Sequence, residues 1–305
     1  MNRLLEIKNL KKYFILRGNF LFKRYRIKAL DGISFNIKDK RNLGLVGESG
    51  SGKSTIAKII LRLLEPTEGK VYFLGRDFSE LTKKDTREMR QKIQLIFQEP
   101  LNSLNPRHKI KEILEEPFKI FKIGDRNFRE EKIKELLNLV GLSELSLQRY
   151  PHEFSGGQRQ RICLVRAISL SPLLLILDEP LSSLDVSVQS QILNLLIDFQ
   201  ERFNIAYLFI SHNLDVVKHI SDELVIIYRG KIMEYGKTEE MIKKPLHPYT
   251  EFLLNPFKYE IKDINFDENL CPFLQRCYRR INKCFIFSPQ IEKIDQDREI
   301  SCHVV

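Results

Sequence analysis

The chain has 305 residues, with 50 Lys plus Arg against 40 Asp plus Glu, 43% apolar residues, twenty Phe, ten Tyr and no Trp. That composition supplies a sizeable core and excludes disorder as the main state, and the length suits one large domain with an appendage. The formal charge of +10 fits nucleic acid, an anionic membrane surface or solubility alone, and does not choose among them.

No stretch approaches the roughly 18–20 consecutive apolar residues needed to cross a bilayer. The start, Met1-Asn2-Arg3-Leu4-Leu5-Glu6, lacks an apolar run before a small-residue cleavage site, so a cytosolic location is expected. From Lys11 to Lys28 the sequence carries seven Lys/Arg and no acid, interleaved with Tyr13, Phe14, Phe20, Phe22 and Tyr25. This run reads as a solvated loop, with a headgroup-binding patch as the alternative. Short apolar runs at 43–46, 71–74, 93–97, 173–177, 206–210 and 224–228 predict buried strands, several joined by amphipathic stretches such as 187–203. Such alternation predicts an α/β core with a mainly parallel sheet. Between 98 and 171 the pattern turns helical, notably at 130–140, so a helical subdomain interrupts the sheet. Past Gly236 periodicity weakens, and a boundary is expected at 236–256, before a cysteine cluster.

Gly47-Glu48-Ser49-Gly50-Ser51-Gly52-Lys53-Ser54 has the spacing G-x-x-x-x-G-K-[ST], follows the predicted strand at 43–46 and precedes a helical run from Thr55 to Leu64. The glycines let backbone N–H groups point at phosphate oxygens, and the helix N-terminus adds a favourable dipole. Lys53 is expected on the β- and γ-phosphates and Ser54 on Mg²⁺. The strand Leu173-Leu174-Leu175-Ile176-Leu177 ends in Asp178-Glu179. Asp178 is the expected metal-side acid, and Glu179 the residue that polarises an attacking water.

These motifs, with Phe154-Ser155-Gly156-Gly157-Gln158, resemble those of the ATP-binding cassette (ABC) subunits of ABC transporters; Phe154 stands where the family usually has Leu. The resemblance implies a P-loop NTPase cassette: a mainly parallel core sheet, an antiparallel β part and a helical subdomain. It is expected over 1–240, with the helical and signature subdomain at about 100–170. It further implies that Gln98 is the Q-loop residue near Mg²⁺ and water. Ser183-Leu184-Asp185 would be the D-loop, with Asp185 at the nucleotide, and His212 the switch histidine on the γ-phosphate. Gly47 through Thr55 would bind ATP, and Tyr13 would stack on adenine, with Tyr25 in reserve. Ser155, Gly156, Gly157 and Gln158 would close a second cassette's ATP. Hydrolysis in such a head-to-tail pair removes the contacts that favour the closed state.

Two segments narrow the resemblance. Phe97-Gln98-Glu99-Pro100-Leu101-Asn102-Ser103-Leu104-Asn105-Pro106-Arg107 and Glu179-Pro180-Leu181-Ser182-Ser183-Leu184-Asp185-Val186-Ser187-Val188-Gln189 look like the cassettes of oligopeptide and dipeptide importers. Leu246-His247-Pro248-Tyr249-Thr250 is similar to that group's C-terminal extension, expected here over 241–305. So is the series Cys271, Cys277, Cys284 and Cys302. These cysteines lack the C-x₂-C knuckle favoured by structural zinc, and a [4Fe-4S] cluster is the first expectation, with zinc or unligated thiols as alternatives. Arg276, Arg279, Arg280 and Lys283 would offset thiolate charge or be solvated.

The implied function is ATP hydrolysis at the cytoplasmic face of a membrane, powering peptide uptake. The implied partners are a second cassette, as a heterodimer, two permease subunits and, indirectly, an extracytoplasmic solute-binding protein. An importer subunit for nickel or another small solute is the alternative. A soluble nucleic-acid-handling ABC ATPase is a further one, disfavoured because coiled-coil insertions, zinc modules and a second cassette are not visible.

Overall fold

The computed structural model describes residues 3–17, 24–97, 104–255, 267, 269–295 and 297–304, with the backbone alone at 16, 17, 24 and 25. The chain divides into two compact units, Met1–Leu81 with Phe209–Val305, and Thr82–Leu208.

In the first unit, β1 (Arg3–Arg17) and β2 (Arg24–Lys38) pair antiparallel and are extended by β4 (Glu68–Phe73) and β5 (Arg76–Asp77), in the order β2-β1-β4-β5. Ile33, Phe35 and Ile37 alternate into the core, the period-2 pattern of a sheet with one buried face. The solvated loop expected from Lys11 to Lys28 is therefore corrected: its described residues are strand, with Tyr13 opposite Lys28 and Phe14 opposite Ile27. The basic charge is absorbed locally. Lys11 pairs with Glu68 at 2.7 Å, Lys12 lies over the Phe14 ring and the Arg26 guanidinium lies 3.8 Å from the centre of the Tyr13 ring.

A second sheet in this unit runs through β3 (Leu43–Val46), β9 (Glu223–Tyr228), β10 (Lys231–Lys237) and β12 (Glu299–Ile300), ending in β11 (Glu292–Lys293). β3 and β9 are parallel, and all of β3 with residues 224–228 is buried, as expected of an interior strand covered on both faces. Helix α1 (Lys53–Ile60) follows β3. Asn42 bonds the Ile220 carbonyl through Nδ2 and the Asp222 carboxylate through its backbone N–H, both at 2.8 Å, which ties the start of β3 to the turn before β9.

The second unit opens with α2 (Lys83–Lys92), whose Thr82 and Asp85 form a reciprocal cap. Here β6 (Ile93–Ile96) and β7 (Leu174–Asp178) are parallel, Ile93 opposite Leu174 and Ile96 opposite Leu177. Between them lie α3 (Ile110–Phe121), α4 (Arg126–Leu139) and α5 (Gly156–Ile168), the helical interruption read from the sequence. Phe118 and Phe128 meet edge to face, and Arg161 donates to the Val140 carbonyl at 2.7 Å. Helix α6 (Val186–Phe203) buries Ile192, Leu196 and Phe199 on one stripe. Strand β8 (Ala206–Ser211) returns the chain to the first unit, where α7 (Leu214–Val217), α8 (Thr238–Lys243) and α9 (Pro248–Leu254) complete the helices. No helix among the described residues is long and apolar enough to cross a membrane.

Candidate active site

In the first unit β3 delivers the chain into the glycine-rich loop. A Cβ on Gly47 would lie 2.1 Å from the Ile227 carbonyl of β9, so only glycine lets the loop turn against the sheet there. Gly52 sits at φ +106°, a left-handed cap against the Ala29 carbonyl, and α1 begins without a side-chain cap. A helix N-terminus without a side-chain acceptor is suited to an anion. The Lys53 amine, buried, donates to the Gly47 carbonyl at 2.6 Å and the Glu48 carbonyl at 2.9 Å, so it braces the loop it would use to grip phosphate. Ser54 is exposed in the first helical turn and Thr55 half-buried beside it. The end of β8 is next to the loop, with Gly47 N–H reaching the Ser211 carbonyl at 3.4 Å. His212 follows, exposed, its backbone framed by Ser211 Oγ accepting from Asn213 N–H at 3.1 Å and by the Asn213 cap of α7.

Tyr13, also in this unit, donates its hydroxyl to Asp31 at 2.6 Å; burial and that carboxylate push the phenol up to about 12. One face of its ring is under Arg26. Gln98 lies outside the described residues, as does the side chain of Tyr25.

In the second unit β7 ends in Asp178, which is buried, and Glu179 follows half-buried at φ +52°. A left-handed glutamate is a strained backbone, of the kind found where a side chain must be aimed. Ser182 donates through both N–H and Oγ to the Glu179 carbonyl, holding the turn. Ser155 caps α5: its Oγ accepts from Gln158 N–H at 3.3 Å while Gln158 Oε1 accepts from Ser155 N–H at 3.1 Å. Ser155, Gly156 and Gln158 are exposed. The segment expected to be the D-loop is adjacent. A Cβ on Gly156 would meet Leu184 at 3.5 Å and one on Gly157 would meet Val188 at 2.6 Å, so glycine at 157 permits this approach. Asp185 is exposed at the N-terminus of α6, held by Gln189 donating to the Leu181 and Leu184 carbonyls.

The family is decided by comparison with known proteins. Residues 30–182 match the model described as ABC transporter, and residues 233–284 match the oligopeptide/dipeptide transporter, C-terminal region. The chain belongs to the ABC transporter family. The oligopeptide transport ATP-binding protein AppF of Bacillus subtilis is 50% identical over 254 residues, covering 83% of this chain and 77% of AppF. The dipeptide transport ATP-binding protein DppF of Escherichia coli is 40% identical over 303 residues, covering 95% of this chain and 91% of its own. Among solved structures, the dimeric post-hydrolysis state of the ATP-binding cassette MJ0796 bound to ADP and Pi superposes with a TM-score of 0.67 at 28% identity, covering 77% of this chain and 98% of that one. The chain therefore has the ABC cassette fold of a P-loop NTPase and is an ATP-hydrolysing subunit.

The tail departs from expectation in its cysteines. Among the described residues no three Cys, His, Asp or Glu side chains are placed to hold a metal ion, so the expected four-cysteine ligand set is not assembled. Burial pushes the Cys271 thiol up to about 12 and Cys277 up to about 11 and raises Cys302, with neighbouring cysteines adding to each. The donor chemistry still suits a soft centre: Cys271, Cys277 and Cys302 each accept a backbone N–H from two residues on, at Phe273, Arg279 and Val304, bonds that favour thiolate. Of the basic residues between the cysteines, Arg279 acts to lower the Cys302 thiol and Arg280 the Cys277 thiol, in the direction expected of charges that offset thiolate, while Arg276 and Arg279 also have carboxylate partners. Arg276 pairs with Glu48 of the phosphate loop at 2.7 Å, and Arg279 pairs with Glu251.

The residues that attach the extension were not assigned roles from sequence. Glu234, fully buried on β10, accepts from Thr250 Oγ1 at 2.5 Å and from the backbone N–H groups of Leu246 and His247, and forms an ion pair with buried Arg298. His247 Nδ1 accepts from Tyr249 N–H at 2.9 Å, capping α9; burial, with the charge of Arg279 added, drives the imidazole down to about 3. The segment Leu246-His247-Pro248-Tyr249-Thr250 was legible as a motif but not as the lock around a buried carboxylate.

Proposed function

We propose that this chain powers uptake of dipeptides or oligopeptides as the ATPase subunit of an importer at the cytoplasmic face of a membrane. The observation that carries the reading is the joining of an ABC phosphate loop to a C-terminal region of the peptide-transporter type at 233–284. Its proposed partners are two permease subunits, a second and different cassette, and indirectly an extracytoplasmic binding protein. The cassette is taken as 1–240, with its helical subdomain at about 100–170, and the extension as 241–305.

In the proposed chemistry the loop Gly47 to Thr55 holds ATP, Lys53 neutralising its β- and γ-phosphates. Ser54, Asp178 and Gln98 would hold Mg²⁺, which spreads the charge that develops on the phosphoryl oxygens. Glu179, aimed by its left-handed backbone, polarises the attacking water and His212 contacts the γ-phosphate. Adenine stacks on the face of Tyr13 away from Arg26. Ser155, Gly156, Gly157 and Gln158, with Asp185, close the ATP of the second cassette. Glu179→Gln should retain ATP binding, abolish turnover and accumulate the closed dimer; undiminished hydrolysis removes Glu179 from this role. Reconstitution with its membrane partners and binding protein should give ATPase activity stimulated by di- or oligopeptides, whereas stimulation by nickel or another solute would reassign the cargo.

Cys271, Cys277, Cys284 and Cys302 are the proposed ligands of a [4Fe-4S] cluster that would staple the extension, supported by the backbone N–H groups that Cys271, Cys277 and Cys302 accept; to hold it the four would have to draw together from their positions in this structure, where they form no metal-binding group. Iron and acid-labile sulfide in anaerobically purified protein support this; zinc alone, or no metal, removes it.

A further inference from the structure

Glu48, the second residue of the phosphate loop, is gripped from three directions. Its carbonyl accepts from Lys53 Nζ at 2.9 Å, its N–H donates to the Tyr249 hydroxyl at 2.9 Å and its carboxylate pairs with Arg276 at 2.7 Å. The last two partners come from the C-terminal extension, more than 200 residues away in sequence. Neither is loosely held. Tyr249 is fully buried, its ring 4.6 Å from Tyr228 and 5.1 Å from Phe273, and the Arg276 guanidinium lies 4.1 Å from the centre of the Phe252 ring. A carboxylate beside a loop that receives a triphosphate is repulsive unless it is neutralised, and the peptide between Gly47 and Glu48 must be fixed if Lys53 is to release its carbonyls and turn to phosphate.

We propose that the C-terminal extension is a positioning element for the phosphate loop: Tyr249 fixes the Glu48 peptide, and Arg276 cancels the Glu48 charge that would otherwise oppose ATP. This rests on the reading of Gly47 to Thr55 as the ATP site. The consequence is a charge coupling that tail packing alone would not produce.

The test is MgATP affinity of the full-length chain, by equilibrium titration, in a double-mutant cycle. Arg276→Ala should raise Kd about tenfold, and the same substitution in a Glu48→Gln background less than about threefold, because no carboxylate is then left uncompensated. Arg276→Lys, which keeps the charge, should recover most of the loss. Tyr249→Phe keeps the ring and its packing, so the protein folds, and should still weaken ATP binding about threefold. Equal losses for Arg276→Ala in both backgrounds would reduce Arg276 to a packing residue and overturn the proposal, as would unchanged affinity in Tyr249→Phe and Arg276→Ala. Failure of the unaltered chain to bind MgATP would instead sink the ATP-site reading, and the proposal with it.

Discussion

The proposed phosphate loop and the proposed signature loop each lead into a helix N-terminus, and those two helix starts are finished in opposite ways. At α1 the surrounding chain supplies the support: Gly47 is pressed on Ile227, Lys53 braces the loop carbonyls, and Tyr249 and Arg276 hold Glu48. At α5 the cap is local, made by Ser155 and Gln158 to each other, and Ser155, Gly156 and Gln158 are exposed. One loop is prepared by its own polypeptide to bind; the other is presented outward, as suits a surface that acts on a neighbour. Binding and closure are then separable by mutation.

Lys53→Ala strikes the first loop twice, removing its internal brace and its phosphate contact. ATP hydrolysis should fall about a thousandfold and nucleotide binding should weaken with it, as loss of a preorganised charge at a reacting phosphate implies. Isolated-chain titration and steady-state ATPase measure both, and preserved affinity would show that the brace is dispensable.

Next in size is the support of the extension. Arg298→Ala leaves the Glu234 carboxylate buried without its cation, which should cost about 3 kcal/mol of stability by denaturant titration. If the extension positions the phosphate loop, ATP affinity falls in parallel. Stability lost with affinity unchanged would uncouple the two regions.

How far these features could be seen in the sequence depends on whether their cause is local. Leu43–Val46 and the core of β9 are apolar runs buried on both faces, and the loop after β3 has a fixed spacing, so a short window contains the signal. The two basic strands read as a loop in the sequence because their charges are disposed of by aromatic faces and by Glu68, none of which a charge count reveals. Glu234 and Arg298 are 64 residues apart, and Glu48 and Arg276 are 228 apart; each alone reads as a solvated charge. The left-handed backbone of Glu179 is likewise fixed by the turn through Ser182 and not by residue type.

A smaller effect follows from His247. Its folded pKa is depressed by burial to about 3, below the ordinary value of 6.5, so the unfolded chain takes up a proton that the folded chain refuses. The stabilisation is complete above about pH 6.5 and declines as pH falls toward 3, by about 1.4 kcal/mol for each unit below the unfolded pKa. Comparing denaturant midpoints at pH 7 and 5.5 for the unaltered chain and His247→Asn, which keeps a capping oxygen, isolates this slope. An identical slope in the variant would mean that α9 is not held by a neutral imidazole.

The smallest expected change is also the one that discriminates best between the two loops. Ser155→Ala removes one cap acceptor at an exposed helix start, a loss of about 1 kcal/mol. Because that hydroxyl serves its own helix turn in the single chain and a neighbour's nucleotide in the proposed pair, ATP affinity of the isolated chain should stay within about twofold while the ATPase rate of the reconstituted transporter falls about tenfold. A rate loss that reflected only a weakened α5 would instead scale with stability and be recovered by Ser155→Asp, an equally good cap whose negative charge is wrong for a phosphate. Rescue of stability without rescue of turnover is therefore the expected pattern. Should Ser155→Ala weaken ATP binding by the isolated chain as severely as Lys53→Ala, the two helix N-termini would be acting on one nucleotide within one polypeptide, and the division between a binding loop and a closing loop would be wrong.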